Sequence, residues 1–218
     1  LMIPRVKICC ISSLDEAQMS IDAGASALGL VGQMPSGPGV ISDELIFSIS
    51  AAVPPPIGTF LLTSETSANG IINHWNRSHT NTIQLVDAVS TETYLSLRKS
   101  LPGVKLVQVI HVQHEKSVDE AIETAPYVDA ILLDSGNPNL EIKELGGTGR
   151  THNWKLSRKI RESISVPVFL AGGLKPENIR QAIDEVNPFG IDLCSGVRIN
   201  GMLDAEKLNR FMYEVHRF

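Results

Sequence analysis

The feature that most constrains the fold is a regular alternation of short apolar runs and helical patterns along the chain. Eight runs rich in β-branched and aliphatic residues recur, and apolar residues at helical spacing follow each run. A parallel strand is buried on both faces and therefore appears as a continuous apolar run. Eight strand–helix units predict an α/β fold, a (β/α)8 TIM barrel that forms a single domain over residues 2–218. The predicted strands are Val6–Ile11, Ala27–Val31, Ile57–Leu62, Thr82–Val86, Val104–Val112, Val128–Leu133, Val166–Leu170 and Ile191–Leu193.

Helix signals lie between these runs. Ser13 followed by Glu16 predicts a capping box, and Pro176 is expected at a first helical position. A doubly wound open sheet is the rival architecture, but it usually has fewer strands and often a Gly-rich first turn, which this chain lacks. The predicted helices are Ser13–Ala23, a helix that begins at Ser42, Glu65–Trp75, Thr91–Lys99, Ser117–Thr124, Asn153–Ser163, Pro176–Glu185 and Asp204–Val215.

Composition excludes several classes of function. Hydrophobic residues make up 43% of the 218 residues, enough for a sizeable core, and the formal net charge is −5. Lys and Arg are scattered singly, which argues against binding to nucleic acid or to an anionic membrane. The apolar runs are too short for a transmembrane helix, and no signal peptide is recognisable, so we expect a cytoplasmic protein. The three cysteines and six histidines show no metal-ligand spacing, so no metal is expected.

The first predicted strand carries two chemically interesting side chains. Period-two alternation places Lys7 and Cys9 together, facing the barrel interior. A buried Lys needs a partner, and Asp192 on the neighbouring last strand is the candidate. Cys9 is either a small core residue or a thiolate that acts as base or nucleophile at the barrel mouth. The set predicted to face the helices is Val6, Ile8 and Cys10.

Asp134 directly follows an apolar strand. Such a carboxylate either caps the next loop or acts as an acid whose pKa is raised by partial desolvation. The first and sixth strands lie across the barrel from one another. Cys9 and Asp134 are therefore expected to flank a small substrate from two sides.

Glycine-containing turns follow the last two predicted strands. Gly172-Gly173 and Ser195-Gly196 lie where barrels of this type usually bind phosphate through backbone N–H groups, although tight turns alone would also explain the glycines. An anion is expected near Gly173 and Gly196. The segment from Gly146 to Arg150 predicts a flexible lid, an anion-binding nest or only a mobile loop.

Taken together, these segments resemble the phosphoribosylanthranilate isomerase family of tryptophan biosynthesis. The similarity runs in order from Lys7 to about Leu208 and so covers nearly the whole chain. Its segments are Val6-Lys7-Ile8-Cys9, Asp22-Ala23-Gly24-Ala25, Ala27-Leu28-Gly29, Gln84-Leu85, Leu132-Leu133-Asp134, Gly146-Gly147-Thr148-Gly149, Asn153-Trp154, Leu170-Ala171-Gly172-Gly173-Leu174, Pro176-Glu177-Asn178 and Ser195-Gly196-Val197.

The resemblance implies an Amadori rearrangement of a phosphoribosyl amine, with no metal or organic cofactor. Asp134 would be the general acid that protonates the furanose oxygen, and Cys9 the general base that removes the C2 proton. The resemblance places the substrate phosphate on Gly172, Gly173, Ser195 and Gly196. Further substrate contacts are expected from Lys7, Gln84, Gly147, Thr148, Gly149 and Arg198.

The chain departs from the family pattern around the aglycone. Gly39 stands where the family usually has the Arg that binds the anthranilate carboxylate, and Cys10 replaces a Gly. Either Arg198 or Arg150 takes over the carboxylate, or the protein isomerises a different phosphoribosyl amine. A non-catalytic phosphosugar-binding barrel is a further alternative. The expected partner is a small phosphoribosyl substrate, and the expected assembly is a monomer or a homodimer.

Overall fold

Eight parallel strands form a closed barrel in which each strand pairs with the next and β8 pairs with β1. The structure is a computed structural model, and it describes residues 3–137, 139–140, 142–147 and 149–217. The predicted (β/α)8 fold is confirmed. The strands are β1 Arg5–Ile8, β2 Ala27–Val31, β3 Gly58–Thr63, β4 Thr82–Leu85, β5 Lys105–His111, β6 Ala130–Asp134, β7 Val168–Leu170 and β8 Gly190–Leu193.

A helix follows each strand, and polar N-caps define where most of these helices begin. Ser13 accepts a hydrogen bond from the Glu16 N–H, as predicted, but the Glu16 carboxylate accepts from Ser12 rather than from the cap residue itself. The expected start at Pro176 is wrong, because the helix begins three residues later, after a turn. The helices are α1 Leu14–Asp22, α2 Asp43–Ala52, α3 Ala68–Ser78, α4 Thr91–Ser100, α5 Lys116–Thr124, α6 Trp154–Ser163, α7 Ile179–Val186 and α8 Ala205–His216.

Apolar side chains fill two separate layers. The larger cluster lies between the strands and the helices, and a smaller cluster fills the barrel interior. Near the amino ends of the strands, Phe60 and Phe169 pack edge to face with their ring centroids 6.1 Å apart. These rings belong to the inner cluster, whereas the cavity of the barrel opens at the carboxyl ends of the strands, where active sites of this fold lie.

The end of β1 differs from the prediction. The strand ends at Ile8, and Cys10 adopts a left-handed backbone conformation with φ of 62°. Because period-two alternation stops with the strand, Cys10 packs in the inner cluster beside Cys9. The prediction that Cys10 faces the helices is therefore wrong.

The chain between β8 and α8 contains elements that the sequence did not reveal. A 3₁₀ turn, Ser195–Val197, leads into a short antiparallel hairpin of β9 Arg198–Ile199 and β10 Met202–Leu203. This hairpin brings Arg198 back to the backbone that follows β1. Among the helices of the described residues, none combines the length and the apolar composition that a membrane crossing requires.

Candidate active site

One cavity opens at the carboxyl ends of the strands and brings most of the predicted site residues together. Its walls include both proposed catalytic groups, Cys9 and Asp134, and the buried amide of Gln84. The remaining predicted residues in the cavity wall are Gly147, Gly149, Gly172, Gly173, Ser195 and Gly196. Lys7 and Arg198 are not part of this wall, and Thr148 lies outside the described residues.

Asp134 is the last residue of β6, and its side chain is buried at the cavity wall. Burial raises the pKa of its carboxyl above the usual value, although a hydrogen bond from the Ser135 N–H to Oδ1, 2.7 Å long, opposes this effect. A Cβ at Gly146 would lie 2.9 Å from Oδ2, and one at Gly172 would lie 3.1 Å from Oδ1. Two glycines thus give the carboxyl the room to face the cavity, where it binds a proton more tightly than an exposed aspartate does.

Cys9 follows β1 and is held by a 2.8 Å hydrogen bond from its N–H to the Leu193 carbonyl on β8. Just below it, the Lys7 ammonium donates a 2.8 Å hydrogen bond to Asp192, which confirms the predicted ion pair. A Cβ at Gly29 would lie 2.7 Å from Cys9 Sγ and 3.0 Å from Lys7 Nζ. Gly29 therefore makes room for a thiol and an ammonium side by side at the same point of the barrel.

The electrostatics of Lys7 follow from these neighbours. Burial alone would lower the pKa of Lys7, but Asp192 and Cys9 outweigh burial and raise the pKa above its usual value. Lys7 is consequently cationic at neutral pH. It places a positive charge under the cavity floor rather than in the cavity itself.

The turns after β7 and β8 present backbone to the cavity. Gly172 and Gly173 have positive φ values of 83° and 60°, which glycine adopts without strain. Asn178 donates a 3.0 Å hydrogen bond to the Gly173 carbonyl and accepts one of 2.8 Å from the Lys175 N–H, so it holds the turn. Together with Ser195 and Gly196, these residues form a concave rim of small side chains that suits an anion.

Gln84 supplies an open hydrogen-bonding group. Its Oε1 is buried and has no hydrogen-bond partner among the described residues. Buried polar atoms are almost always paired, and an unpaired one in a cavity wall is available to a ligand. Gln84 can therefore accept a hydrogen bond from a hydroxyl or amine of a bound molecule.

Two long loops meet above the cavity. A Cβ at Gly147 would lie 2.5 Å from the Pro38 ring, and the Ser36 hydroxyl donates a hydrogen bond to the Lys143 carbonyl. The loop after β2 and the loop after β6 thus contact each other and narrow the entrance. Met34, Pro38 and Leu145 give this part of the wall an apolar surface that suits an aromatic group.

Arg198 lies outside the cavity wall, against the backbone that follows β1. Its side chain is 6% exposed and pairs with Glu16 at 2.9 Å. It also donates hydrogen bonds of 3.2 Å to the Cys9 carbonyl and 2.6 Å to the Cys10 carbonyl. Arg150, the other candidate for the carboxylate, donates to Glu144 in the loop after β6.

Two cavity residues escaped the sequence analysis. Cys10 and Cys194 line the wall beside Cys9, so all three cysteines of the chain meet at the mouth. A Cβ at Gly39, where φ is 80°, would lie 2.5 Å from Cys10 Cβ. A side chain at position 39 would collide with the side chain of Cys10, so the two departures from the family pattern belong together. Their joint occurrence was the only feature of the sequence that pointed to Cys10.

The charged side chains among the described residues of the cavity wall are all acidic. Asp134 and Asp192 line it, whereas the described wall residues include no Lys, Arg or His. Within the described part of the chain, no group of three or more His, Cys, Asp or Glu side chains is arranged to hold a metal ion. An anionic ligand would depend on backbone N–H groups and hydroxyls in this cavity.

The chain is similar to known proteins over nearly its full length. A family model described as N-(5'phosphoribosyl)anthranilate (PRA) isomerase matches residues 6–214. N-(5'-phosphoribosyl)anthranilate isomerase 2 of Methanosarcina mazei is 35% identical over 211 residues, which are 96% of this chain and 92% of that protein. The crystal structure of phosphoribosyl anthranilate isomerase from Thermotoga maritima has a TM-score of 0.83 and 30% identity, and the match covers 99% of this chain and 100% of that one. A phosphoribosyl anthranilate isomerase in complex with reduced 1-(o-carboxyphenylamino)-1-deoxyribulose 5-phosphate has a TM-score of 0.81 and 28% identity, with coverage of 99% and 100%.

Proposed function

Because the chain belongs to the N-(5'-phosphoribosyl)anthranilate isomerase family, we propose that it catalyses the Amadori rearrangement of N-(5'-phosphoribosyl)anthranilate with Cys9 as base and Asp134 as acid. One observation carries the assignment of these roles. Cys9 and Asp134 line the same cavity, and the rim formed by Gly172, Gly173, Ser195 and Gly196 borders it. A phosphosugar anchored on this rim has its ring within the space that both groups line.

The first step opens the sugar ring. Asp134 donates its proton to the furanose oxygen as the C1–O bond breaks, and the substrate nitrogen lone pair forms a Schiff base. A carboxyl with a raised pKa suits this step, because it holds its proton closer to neutral pH. Gln84 accepts a hydrogen bond from a sugar hydroxyl through its open Oε1.

The second step moves the double bond. The Cys9 thiolate removes the proton from C2, and the electrons form an enolamine, which tautomerises to the 1-amino-1-deoxyketose. The Lys7 ammonium, close to the sulfur across Gly29, supplies the nearby positive charge. In this proposal Lys7 acts from beneath the cavity and not by direct contact with substrate.

Arg198 has a positioning role in this proposal. Its guanidinium holds the carbonyls of Cys9 and Cys10 and thereby fixes the end of β1. Its positive charge is paired with the Glu16 carboxylate and is therefore not available to bind the anthranilate carboxylate. The aglycone carboxylate instead meets backbone N–H groups of the loop after β2, in which Gly37 lines the cavity. The Ser36 hydroxyl is not available to it, because it donates to the Lys143 carbonyl.

The test is a turnover assay with N-(5'-phosphoribosyl)anthranilate on the wild type, Cys9→Ala and Asp134→Asn. We expect kcat to fall by about 10²–10⁴-fold in each variant, the usual contribution of one acid or base. Asp129→Asn is the matched control, since Asp129 lies just before the opposite end of β6 and pairs with Arg98. Its kcat should equal that of the wild type. Equal phosphosugar binding by all variants without turnover by any of them would favour a non-catalytic binding barrel.

The second candidate function is the isomerisation of a different phosphoribosyl amine. It is favoured by the wall that carries two carboxylates and, among its described residues, no cationic side chain. Losing a charged hydrogen bond to a carboxylate costs about 1.5–3 kcal/mol. Two experiments separate the two candidates. One is complementation of a tryptophan auxotroph, and the other is a turnover assay with an analogue of the substrate that carries aniline in place of anthranilate. A well-expressed protein that fails to complement but turns over the analogue would favour the second.

We also propose a cytoplasmic location, which the three free thiols suit. For the assembly, a monomer and a homodimer both remain proposals. A phosphoribosylanthranilate isomerase from Thermotoga maritima, to which this chain is similar, is a dimeric enzyme of which monomers have also been generated. Sedimentation of the purified chain decides between the two states.

A further inference from the structure

The thiols of Cys10 and Cys194 form a pair that the proposed isomerisation does not use. Cys194 follows β8 and is partly exposed, whereas Cys10 follows β1 and is buried under the loop after β2. The two strands are direct neighbours, and the N–H of Cys9 donates to the carbonyl of Leu193 at 2.8 Å. The two side chains therefore leave adjacent strand ends and meet at the same cavity wall.

Arg198 lies against this pair. Its side chain is 6% exposed, and its Nε is buried with no hydrogen-bond partner among the described residues. The other two guanidinium nitrogens donate to Glu16 and to backbone carbonyls. The guanidinium thus holds its positive charge against the backbone of Cys10, and a nearby cation favours the thiolate form of a cysteine.

The two thiols also interact with each other. A hydrogen bond from Cys10 lowers the pKa of Cys194, against the effect of burial, and the Arg198 guanidinium lowers it further. The same contact, together with Cys9 and burial, raises the pKa of Cys10 well above its usual value. The partly exposed thiol therefore ionises first, and the buried one keeps its proton.

We propose that Cys10 and Cys194 form a peroxide-sensitive thiol pair that closes to a disulfide at the cavity mouth. A low-pKa, accessible cysteine next to a second thiol is the arrangement of redox-sensing sites. Cys194 is the cysteine that peroxide attacks, and Cys10 is the one that resolves the product. Neither role requires a substrate phosphosugar.

The chemistry balances with hydrogen peroxide as the oxidant. The Cys194 thiolate attacks one peroxide oxygen, the O–O bond breaks, and hydroxide leaves with a proton as water, which yields a sulfenic acid. The Cys10 sulfur then attacks the Cys194 sulfur, and the S–O bond breaks with release of a second water. In sum, two thiols and one peroxide give one disulfide and two waters, and a thiol reductant reverses the change.

The bridge is expected to disturb catalysis because Cys10 adjoins Cys9 and Cys194 adjoins Ser195 of the phosphate rim. A displacement of about 1 Å of reacting groups can reduce activity roughly 100-fold. Oxidised protein should lose activity on that scale and regain it with dithiothreitol. The predicted loss of activity rests on the proposed function, whereas the thiol chemistry itself does not.

The decisive measurement is the location of the bridge after treatment with excess hydrogen peroxide. Thiol titration should fall from three groups to one, and mass spectrometry under non-reducing conditions should find the Cys194 peptide linked to the amino-terminal one. Cys9 and Cys10 are adjacent and share a peptide, so variants make the assignment. Cys9→Ser should keep the bridge, and Cys10→Ser should lose it and leave a sulfenic acid on Cys194 that dimedone traps.

Two outcomes would overturn the inference. One is a bridge that persists in Cys10→Ser and disappears in Cys9→Ser, which would assign the resolving role to the proposed base. The other is a wild type that keeps three titratable thiols or carries only irreversible oxidation at Cys194. Because these measurements need no turnover, they separate failure of the thiol pair from failure of the isomerase proposal.

Discussion

At the residue scale, Asp134 combines a proposed catalytic role with an electrostatic cost to the fold. Burial raises the pKa of its carboxyl above the unfolded value of 3.8. Between the unfolded and folded pKa values the folded state binds the proton more tightly, so stability falls as the pH rises. The raised pKa of Asp134 consequently makes the barrel less stable at neutral pH than in acidic solution, as far as this one group is concerned.

Asp134→Asn should therefore be more stable than the wild type at pH 7 while it loses activity. The amide can still accept the Ser135 N–H hydrogen bond but carries no charge to desolvate. Melting temperatures from pH 7 down to pH 3 measure the effect, and the gain should shrink as the pH falls towards 3.8. A variant that is less stable at neutral pH would contradict the raised pKa.

Position 39 tests whether its missing side chain and Cys10 form one steric unit. We expect Gly39→Ala to be more destabilising than Gly201→Ala, although both positions have φ near 80° (80° and 82°). Gly201 has nothing within 4 Å of its Cβ position, so its substitution should cost only the backbone strain, about 1–2 kcal/mol. Denaturant unfolding measures both differences.

The cost of Gly39→Ala is then measured again in a protein that also carries Cys10→Gly, which completes a double-mutant cycle. Removing the Cys10 side chain should reduce the cost of Gly39→Ala by about 1 kcal/mol, a typical coupling between contacting residues. An unchanged cost would show that the two departures from the family pattern are independent.

At the scale of elements, Arg198 and Glu16 connect α1, the end of β1 and the β9–β10 hairpin. Glu16 also accepts hydrogen bonds from the N–H groups of Ser12 and Leu203. Removal of one member of such a buried pair strands the other charge and costs about 3–5 kcal/mol. Arg198→Met and Glu16→Gln should each show this loss in urea, and the double variant should lose less than the sum.

Kinetics separates the positioning role of Arg198 from the substrate contact expected from the sequence. Arg198→Met should lower kcat and leave KM near the wild-type value, because the cavity wall does not include this side chain. Arg158→Met is the control, since its pair with Glu162 is exposed and is worth at most about 0.5 kcal/mol. A raised KM with unchanged kcat would instead support the substrate contact.

The elements also show what local sequence can and cannot predict. Continuous apolar runs located all eight barrel strands, and period-two alternation with strand adjacency predicted the Lys7–Asp192 pair. The alternation rule does not state where a strand stops, so it failed at Cys10. The Arg198–Glu16 pair joins residues 182 positions apart, and no local pattern reveals such a contact.

At the scale of the whole molecule, closure of the barrel depends on the contact between its first and last strands. Residues Arg5 to Ile8 of β1 pair in register with Gly190 to Leu193 of β8, and the Lys7–Asp192 ion pair spans this junction. The Lys7 side chain is fully buried and that of Asp192 is 9% exposed. Sequence separation makes this the longest-range strand pairing in the fold.

Lys7→Met should therefore weaken the closed barrel as a whole. The substitution keeps the length of the side chain but leaves Asp192 buried without a cation, at a cost of about 3–5 kcal/mol. Lys105→Met is the matched control, because Lys105 pairs with Asp129 at a side-chain exposure of 66% and should contribute less than about 1 kcal/mol. Guanidinium unfolding of both variants gives the comparison.

The pH dependence of the same pair gives an independent check. The folded-state pKa of Lys7 lies above its usual value of 10.5, so the stabilisation is complete below that value and is lost as the pH rises through the folded pKa. The stability difference between the wild type and Lys7→Met should accordingly stay constant at neutral pH and narrow only in strongly alkaline solution. A difference that already narrows near pH 8 would mean that Lys7 is neutral in the fold, and the proposed positive charge beneath Cys9 would be lost with it.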